Sequence, residues 1–425
     1  MTKSRKAAIL GLIVLLASPL ILSRVAPAVP LRSYFGLERK LDSDLLRDLE
    51  PFLIKVGVLR PARVRVRGGL NMLLDPRDLV PLILLRTGEW QPEVWDSLVA
   101  ALPKDGVFLD VGAHIGIFTL KAARQVGAGG KAIAFEPNPE TAALLRDNIS
   151  ANHLDNVTVE EIACTDKEQQ LTLFAAPINN TGASSLSSAN AAYGGAPRPF
   201  QVRGRPIDDV VRELKLDRVD AIKIDVEGAE LQVLQGAVET LKRFHPKIVL
   251  EIVPAQLASF HTTPEEVASL IKSTGYTIGS PLTKDATDWQ WIAVTQSMVK
   301  MSDPISAPQL LQGFGGLEAG TWRWTAREFA IALRPPDGAS KRGATLVGKF
   351  VFPGVAFQQL KQVRLSAKIG DVELPAVTFS TEGEHDYRAE VPARLLQNNP
   401  IEIDFTLDKA LKEDLGLIVT SIGFE

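Results

Sequence analysis

The stretch that decides the fold is VFLDVGAHIG at residues 107–116. Apolar residues lead to Asp110, and Gly112 and Gly116 follow before an apolar run with helical spacing at 117–123. This pattern predicts a buried strand, a tight glycine turn and the start of a helix close to a ligand. The spacing is D-x-G-x-x-x-G and not the G-x-G-x-x-G of dinucleotide-binding folds, which indicates a ligand without a pyrophosphate.

Length and composition set the broad class of the protein. A chain of 425 residues is long enough for two or three domains. The net charge of −3 gives no footprint of a nucleic-acid-binding protein, so we expect no nucleic-acid partner. The single cysteine, Cys164, excludes an internal disulfide framework.

The amino terminus carries an uncharged segment at residues 7–22 after a basic start. Sixteen residues are few for a membrane-spanning helix, and Pro19 interrupts them. Three interpretations stay open: an uncleaved membrane anchor, a signal peptide cleaved near 26–28, and a helix buried against the protein. We favour the anchor, so we expect membrane association through residues 7–22.

The middle of the chain alternates strands with helices, which predicts a mostly parallel sheet covered by helices on both faces. An amphipathic packing helix at 37–56 and two short strands at 62–70 and 71–75 precede it. The predicted strands are 107–111, 131–136, 157–163, 220–226 and 247–252, with a final edge strand at 290–294. The predicted helices are 92–102, 117–126, 140–152 and 229–244.

Two segments break the alternation of strands and helices. Residues 175–200 are rich in Asn, Ser, Gly and Pro, which is typical of a surface loop or of a lid over a substrate. Beyond residue 301, seven short β-prone segments predict a β-sandwich. They are 322–333, 344–352, 362–369, 373–379, 386–391, 401–407 and 417–424. Trp322 and Trp324 could stack on sugar rings or could simply place one ring in the core and one outside.

Polar residues end the predicted parallel strands, where ligands of open α/β sheets bind. S-adenosylmethionine (SAM) has no pyrophosphate and suits the turn at 110–116, and a carboxylate after the second strand suits the two hydroxyls of a ribose. The strand-end residues are Asp110, Gly112, Glu136, Ala163, Cys164, Thr165, Asp166, Asp225, Glu227, Gly228 and Glu251.

The chain resembles the FkbM family of SAM-dependent methyltransferases. The likeness rests on DVGAHIG, AFEPNPETAALLRDNISAN, DAIKIDVEGAELQVLQGA and PKIVLEI, in this order, and covers residues 88–294. It implies a Rossmann-like α/β fold and methyl transfer to an oxygen of a sugar or a sugar-bearing product, with SAM as the cofactor. The segment beyond 301 is similar, more weakly, to β-sandwich modules of glycan-modifying enzymes.

The resemblance also implies roles for individual residues. Asp110, Gly112 and Gly116 would border the methionine end of SAM, and Glu136 would hold its ribose. Residues 163–166, with Ala163 and Asp166 at their ends, would lie by the adenine, and residues 225–228 would face the methyl group. His114 stands where the family commonly has Asn, so we expect a hydrogen-bonding role for it and not catalysis.

A hydroxyl acceptor must lose its proton as the new bond forms. Asp225 is our first candidate for the catalytic base and Glu227 the second; the alternative is that Asp225 acts only through its charge. No ligand spacing in the sequence indicates a metal site.

The sequence thus predicts four segments. They are an anchor or signal segment at 1–28, a lead-in at 29–87, a methyltransferase domain at 88–296 and a β-sandwich at 301–425. The predicted function is SAM-dependent O-methylation of a carbohydrate-containing substrate. A lipid, polyketide or protein acceptor, or a non-catalytic glycan-binding protein, is the alternative. Because SAM is made in the cytoplasm, we expect a membrane-associated protein with a cytoplasmic catalytic domain, against a cytoplasmic or exported one; the sequence leaves the oligomeric state open.

Overall fold

The computed structural model describes residues 34–35, 44–55, 57–192, 195–303, 307–411 and 414–425. The predicted membrane segment at 7–22 lies outside these residues. Within the described residues, no helix combines the length and the apolar character that crossing a bilayer requires.

The described chain contains twelve helices and twenty-one strands, which we number in chain order. The helices are α1 (Asp44–Lys55), α2 (Leu79–Thr87), α3 (Pro92–Val99), α4 (Ile117–Val126), α5 (Pro139–Ser150), α6 (Ile207–Glu213), α7 (Glu230–Gln235), α8 (Val238–Phe244), α9 (Pro254–Ala258), α10 (Pro264–Ser273), α11 (Ala339–Arg342) and α12 (Gly354–Leu360). The first strands are β1 (Ala62–Arg65), β2 (Asn71–Leu74), β3 (Val107–Val111), β4 (Lys131–Phe135), β5 (Val157–Glu160), β6 (Ile162–Cys164), β7 (Gln169–Ala175), β8 (Arg198–Arg205), β9 (Ala221–Ile224) and β10 (Lys247–Glu251). The remaining strands are β11 (Tyr276–Pro281), β12 (Asp288–Ala293), β13 (Met298–Lys300), β14 (Leu310–Phe314), β15 (Arg323–Leu333), β16 (Ala344–Phe352), β17 (Val363–Ile369), β18 (Val372–Phe379), β19 (Gly383–Val391), β20 (Ile401–Leu407) and β21 (Ile418–Phe424).

The chain divides into two compact units. The first takes the described residues up to Pro206 together with Ala221–Ala229 and Ala255–His261; the second takes Ile207–Asp220, Glu230–Pro254 and Thr262–Glu425.

The first unit contains four parallel strands in the order β9-β3-β4-β5. Every residue of β3 is buried, as expected for a strand covered on both faces, and α4 packs against β3 and β4. This confirms the predicted α/β architecture. In the register of the sheet, Asp110 lies opposite Ala134 on one side and Lys223 on the other, so the ends of three strands meet at one edge.

A second sheet in the first unit departs from the sequence prediction. It is a three-stranded sheet in the order β6-β8-β7, in which β7 and β8 pair antiparallel. The sequence prediction merged β5 and β6, assigned no strand at β7 and placed the start of β8 in the loop at 175–200. The segment between β7 and β8 contains two short 3-10 turns, Ile178–Ala183 and Asn190–Ala192.

The second unit corrects two of the predicted elements. The strand predicted at 290–294 is β12, but it lies between β10 and β11 and is therefore not an edge strand. The helix predicted at 229–244 is two helices, α7 and α8, with a break at 236–237.

The carboxy-terminal part of the second unit is β-rich. Seven strands follow the order β18-β17-β20-β15-β21-β16-β19, with β13 added on β21 and β14 on β15. All nine pair antiparallel, and the strands at the two ends of the order, β18 and β19, contact each other. One hydrophobic core lies inside, where the rings of Phe329 and Phe405 stack at 4.9 Å. The seven predicted segments correspond to β15–β21, whereas the prediction missed β13, β14 and both short helices.

Candidate active site

The turn after β3 brings the ends of three strands together. Gly112 has a φ of +81°, and a Cβ atom there would lie 1.8 Å from the carbonyl oxygen of Asp225. The N–H groups of Gly112 and Ala113 donate to the carbonyl of Phe135 at the end of β4, both at 3.0 Å. Only glycine permits this backbone contact between the first turn and the turn after β9.

Gly116 also contributes to the packing of the helices that follow the turn, and its predicted place at the methionine end of SAM stays a prediction. It lies directly before α4 with a φ of +91°, and a Cβ atom there would lie 2.3 Å from Leu145 and 2.7 Å from Leu120. The glycine is therefore required by the packing of α4 against α5.

Asp110 is a buried carboxylate with one free oxygen. Its residue is 1% exposed, and Oδ2 accepts a hydrogen bond from the Thr119 hydroxyl at 2.5 Å. Oδ1 has no hydrogen-bond partner among the described residues. Burial raises the pKa of Asp110, and the nearby charge of Lys223 opposes that shift. Such an orphaned acceptor indicates a place where a ligand can donate a hydrogen bond.

Glu136 follows β4 and is almost fully buried. Oε2 accepts from the His114 backbone N–H and Oε1 from the Asn138 N–H, both at 2.9 Å. Burial raises its pKa to about 7, the two backbone hydrogen bonds oppose the shift, and the charges of Asp110 and Asp225 add to it. Each oxygen of the carboxylate still has acceptor capacity for a ligand hydroxyl.

Asp225 follows β9 and forms an ion pair with a lysine that the sequence prediction missed. Nζ of Lys223 donates to Asp225 Oδ2 at 2.8 Å and lies 5.1 Å from the centre of the Phe118 ring. The Lys223 side chain is 3% exposed, whereas that of Asp225 is 26% exposed. A lysine within a buried, otherwise apolar strand was visible in IKID and indicates a paired charge.

Glu227 is held in place by residues distant in sequence. Its backbone is left-handed, with a φ of +55°, and its side chain accepts a hydrogen bond from Gln256 Nε2. Its carbonyl accepts from the Ser185 hydroxyl and from Asn190 Nδ2, both at 2.8 Å. The segment predicted as a loop at 175–200 therefore covers the acidic turn at 225–228.

His114 forms the hydrogen bond that the sequence predicted, with Nε2 2.7 Å from the hydroxyl of Thr181. Thr181 in turn contacts Asp78 at the start of α2. Thr181 stands in the NNTG run of the predicted loop, but nothing in the sequence connects it with Asp78, which is 103 positions away.

The residues predicted to lie by the adenine sit on and just beyond β6. Ala163 is buried in a small cluster with Leu173 and Val202. Asp166 is exposed and interacts with its neighbours Lys167 and Gln169. The adenine assignment of residues 163–166 stays a prediction.

The residues of this edge fit the chemistry of SAM. Its ammonium group and its ribose hydroxyls are hydrogen-bond donors, and Asp110 and Glu136 are buried acceptors. Gly112 keeps a side chain out of the turn between them. This is the donor and acceptor set that the resemblance implies.

Comparisons with known proteins agree with the site. Residues 110–278 match the model of the methyltransferase FkbM domain. Methyltransferase sdnD of Sordaria araneosa is 29% identical over 218 residues, which are 45% of this chain and 80% of that protein. The 2-O-methyltransferase NoeI of Sinorhizobium fredii is 28% identical, covering 36% of this chain and 65% of its own length. Hexuronic acid methyltransferase AglP of Haloferax volcanii is 22% identical, covering 46% and 77%.

A solved structure, that of methyltransferase FkbM from Methylobacillus flagellatus, is 20% identical and covers 58% of this chain and 59% of its own, with a TM-score of 0.31. The family match spans the turn after β3, the acid after β4 and the acidic turn after β9. Residues 110–278 are thus a methyltransferase domain of the FkbM family, and the protein is an enzyme that uses S-adenosylmethionine as its methyl donor.

Proposed function

We propose that the enzyme methylates a hydroxyl group of a sugar or of a glycan-containing substrate. The observation that carries this proposal is the polar cover of the acidic turn at 225–228. Hydroxyl and amide side chains lie beside it: Ser185 and Asn190 donate to the Glu227 carbonyl, and the Ser259 hydroxyl donates to Asn190 Oδ1 at 2.8 Å. A polyhydroxylated acceptor finds hydrogen-bond partners in such surroundings, whereas an apolar acceptor prefers a pocket lined by apolar side chains.

The names of two relatives support the same class of acceptor. NoeI is named a 2-O-methyltransferase and AglP a hexuronic acid methyltransferase. The alternative is a lipid, polyketide or protein acceptor.

We assign roles in the site to four acidic side chains. SAM supplies a methyl group that is already activated by the positive sulfur. The protein therefore has to bind SAM, align it with the acceptor hydroxyl and remove the proton of that hydroxyl. Asp110 and Glu136 would accept hydrogen bonds from the ammonium and ribose ends. Asp225 supplies a negative charge at the reacting end, where its carboxylate is held by the ion pair with Lys223. Of the two roles left open by the sequence, we therefore choose the electrostatic one, and we give Glu227 the same role.

The proposal is tested with the purified full-length chain and SAM carrying a labelled methyl group. Calorimetry first establishes binding of SAM in the micromolar range. Methyl glycosides of neutral sugars and of hexuronic acids are then compared with a hydroxylated fatty acid, a polyketide and a serine-rich peptide. Label in a glycoside with an acid-stable ether linkage is the expected result. Label only in one of the other three would replace the sugar by that acceptor, and label in none would remove the sugar proposal for the tested classes.

We also keep three predictions about the rest of the chain as proposals. The domain limits are 88–296 and 301–425, and the β-rich domain is a sandwich that binds glycans. Its support is the aromatic core and the half-buried pair of Trp322 and Trp324, whose rings meet edge to face at 6.2 Å. Residues 7–22 anchor the protein to a membrane, with the catalytic domain in the cytoplasm where SAM is made. Recovery of mature protein that begins near residue 29 in an extracytoplasmic fraction would contradict the anchor.

A further inference from the structure

The proposed role of Asp225 leaves the acceptor's proton without a base. His114 lies two positions after Gly112, in the turn that follows β3, and the sequence predicts only a hydrogen-bonding role for it. Its backbone is left-handed, with a φ of +49°, a conformation that Asn and His adopt more readily than most other side chains. The hydrogen bond from its N–H to Glu136 fixes the backbone, so the ring is presented from a rigid position.

The ring is held by a two-residue relay. Asp78 occupies the N-cap position of α2, yet its side chain makes no capping hydrogen bond to that helix. Instead, Oδ1 accepts from the Thr181 N–H at 3.0 Å and Oδ2 accepts from the Thr181 hydroxyl. Asp78 is 4% exposed. An Asp at an N-cap usually accepts a hydrogen bond from its own helix. Because Asp78 binds Thr181 instead, we infer that Asp78 orients the Thr181 hydroxyl.

The relay determines which nitrogen of His114 carries the proton. The Thr181 hydroxyl has one hydrogen, and a carboxylate has none to give, so that hydrogen lies toward Asp78. The hydroxyl oxygen, 2.7 Å from His114 Nε2, must then accept a hydrogen bond from it. His114 is therefore the Nε2–H tautomer, and the lone pair is on Nδ1. Nδ1 makes no hydrogen bond within the part of the chain that the structure describes.

The surroundings keep this lone pair available. Burial lowers the pKa of His114, Asp78 and Asp225 raise it, and Lys223 lowers it, so the neutral ring prevails at neutral pH. The Glu136 carboxyl also lies at this turn, where it accepts the hydrogen bond from the His114 backbone N–H. The His114 side chain is 16% exposed, which leaves an approach to the ring.

We propose that His114 is the general base of the reaction, that its Nδ1 takes the proton of the acceptor hydroxyl, and that Asp78 and Thr181 position it. The proposal rests on the proposed O-methylation. As the hydroxyl proton moves to Nδ1, the oxygen lone pair forms the bond to the methyl carbon, and the electrons of the methyl–sulfur bond stay on sulfur. The products are the methyl ether, the neutral thioether and an imidazolium, which the charges of Asp78 and Asp225 stabilise until the proton passes to water.

The first test needs no acceptor. Long-range ¹H–¹⁵N NMR of the full-length apo protein, repeated after addition of SAM, reports the tautomer and the titration of His114. The expected result is the Nε2–H tautomer at neutral pH in the wild type and in T181S, and loss of the tautomer preference in T181V, which has the same shape without the hydroxyl. A protonated Nδ1 in the wild type would overturn the proposal, whatever the acceptor.

The second test uses whichever acceptor the labelled panel identifies. H114N retains the left-handed backbone and should bind SAM within about threefold of wild type, as measured by calorimetry. Its turnover should fall by about a hundredfold or more, and its rate should keep rising with pH where the wild type has reached a plateau. T181V should lose about tenfold or more and T181S should recover most of it. H153N is the matched control, because His153 is an exposed histidine with a φ of +53° away from these residues, and it should behave as wild type.

Wild-type turnover in H114N, together with loss of activity in D225N, would return the base to Asp225. A wild type that methylates a lipid or peptide hydroxyl would remove the sugar proposal, but His114 would then be tested on that hydroxyl.

Discussion

The raised pKa of Glu136 makes the affinity for SAM depend on pH. In the free protein this pKa is about 7, mainly because the carboxyl is buried. If the ribose hydroxyls require the carboxylate, SAM binds only the ionised fraction, which is about one tenth at pH 6 and about nine tenths at pH 8. The apparent Kd equals the intrinsic Kd divided by that fraction. SAM should therefore bind about tenfold more weakly at pH 6 than at pH 8, a difference of about 1.4 kcal/mol in binding free energy.

Calorimetry at pH 6, 7 and 8, in buffers with different ionisation enthalpies, measures this effect directly. Close to one proton should be released per SAM bound at pH 6, falling to about a tenth of a proton at pH 8. E136Q should bind more weakly at every pH, because its amide meets one of the two backbone donors with an N–H group, but its affinity should not change over this range. If titration of SAM itself caused the pH dependence, the dependence would persist in E136Q. If titration of His114 caused it, the dependence would be absent in H114N. A flat affinity in the wild type, or an unchanged slope in E136Q, would refute the role of Glu136.

The same pKa predicts the pH dependence of folding, and three substitutions test other parts of the structure. The pKa of Glu136 is about 7 in the folded protein and 4.5 in the unfolded chain, so its contribution to stability is complete below pH 4.5 and is lost as the pH rises through 7. The free energy of unfolding of the apo protein, measured with denaturant, should fall by about 3 kcal/mol over this range relative to that of E136Q. G112A should abolish measurable SAM binding through its contact with the Asp225 carbonyl, whereas G68A, with a φ of +80° and nothing within 4 Å, should cost only about 1–2 kcal/mol of stability; equal effects would show that backbone strain alone matters. D225N should leave the SAM affinity within about threefold and lower turnover by about tenfold, less than H114N does; an equal loss of binding would place Asp225 on the cofactor. F405A removes a ring stacked in the β-rich core and should lower the free energy of unfolding by about 3–5 kcal/mol without changing the SAM affinity.

The parallel strands β3, β4 and β9 were predictable because each is a largely buried and mostly apolar run next to a segment with helical periodicity. The bounds of β3 and α4 were predicted to the residue, since Asp110 and the glycines at 112 and 116 mark the change from one element to the next. Seven of the nine strands of the β-rich part, β15–β21, were also found, because the chain between them carries Gly, Pro or Asp. By contrast, β7 and β8 were missed, since both faces carry polar side chains and their pairing joins residues about 30 positions apart.

The site divides along the same line. The residues predicted for the cofactor end, Asp110, Gly112 and Glu136, each lie within one or two positions of a strand end, and parallel strands bring those ends together without further information. Asp225 came from the same rule. Its partner Lys223 lies within strand β9. The pair bears on the choice of base because the Lys223 side chain is buried, and the sequence pattern did not predict that burial.

The acceptor end depends on contacts that join distant parts of the chain, and this explains why sequence reasoning stopped there. Asp78 meets Thr181 across 103 positions, and Asn190 meets Gln256 across 66. Each contact joins the segment between β7 and β8 to a different element, so the segment reaches the cofactor turn through Thr181 and the acidic turn through Asn190. A change in this segment can therefore alter the position of the acceptor or the tautomer of His114 while Glu136 and Gly112 keep their contacts. On this reasoning, the cofactor and acceptor ends of the site can vary independently, and the residue that joins them chemically is the histidine in the turn after β3.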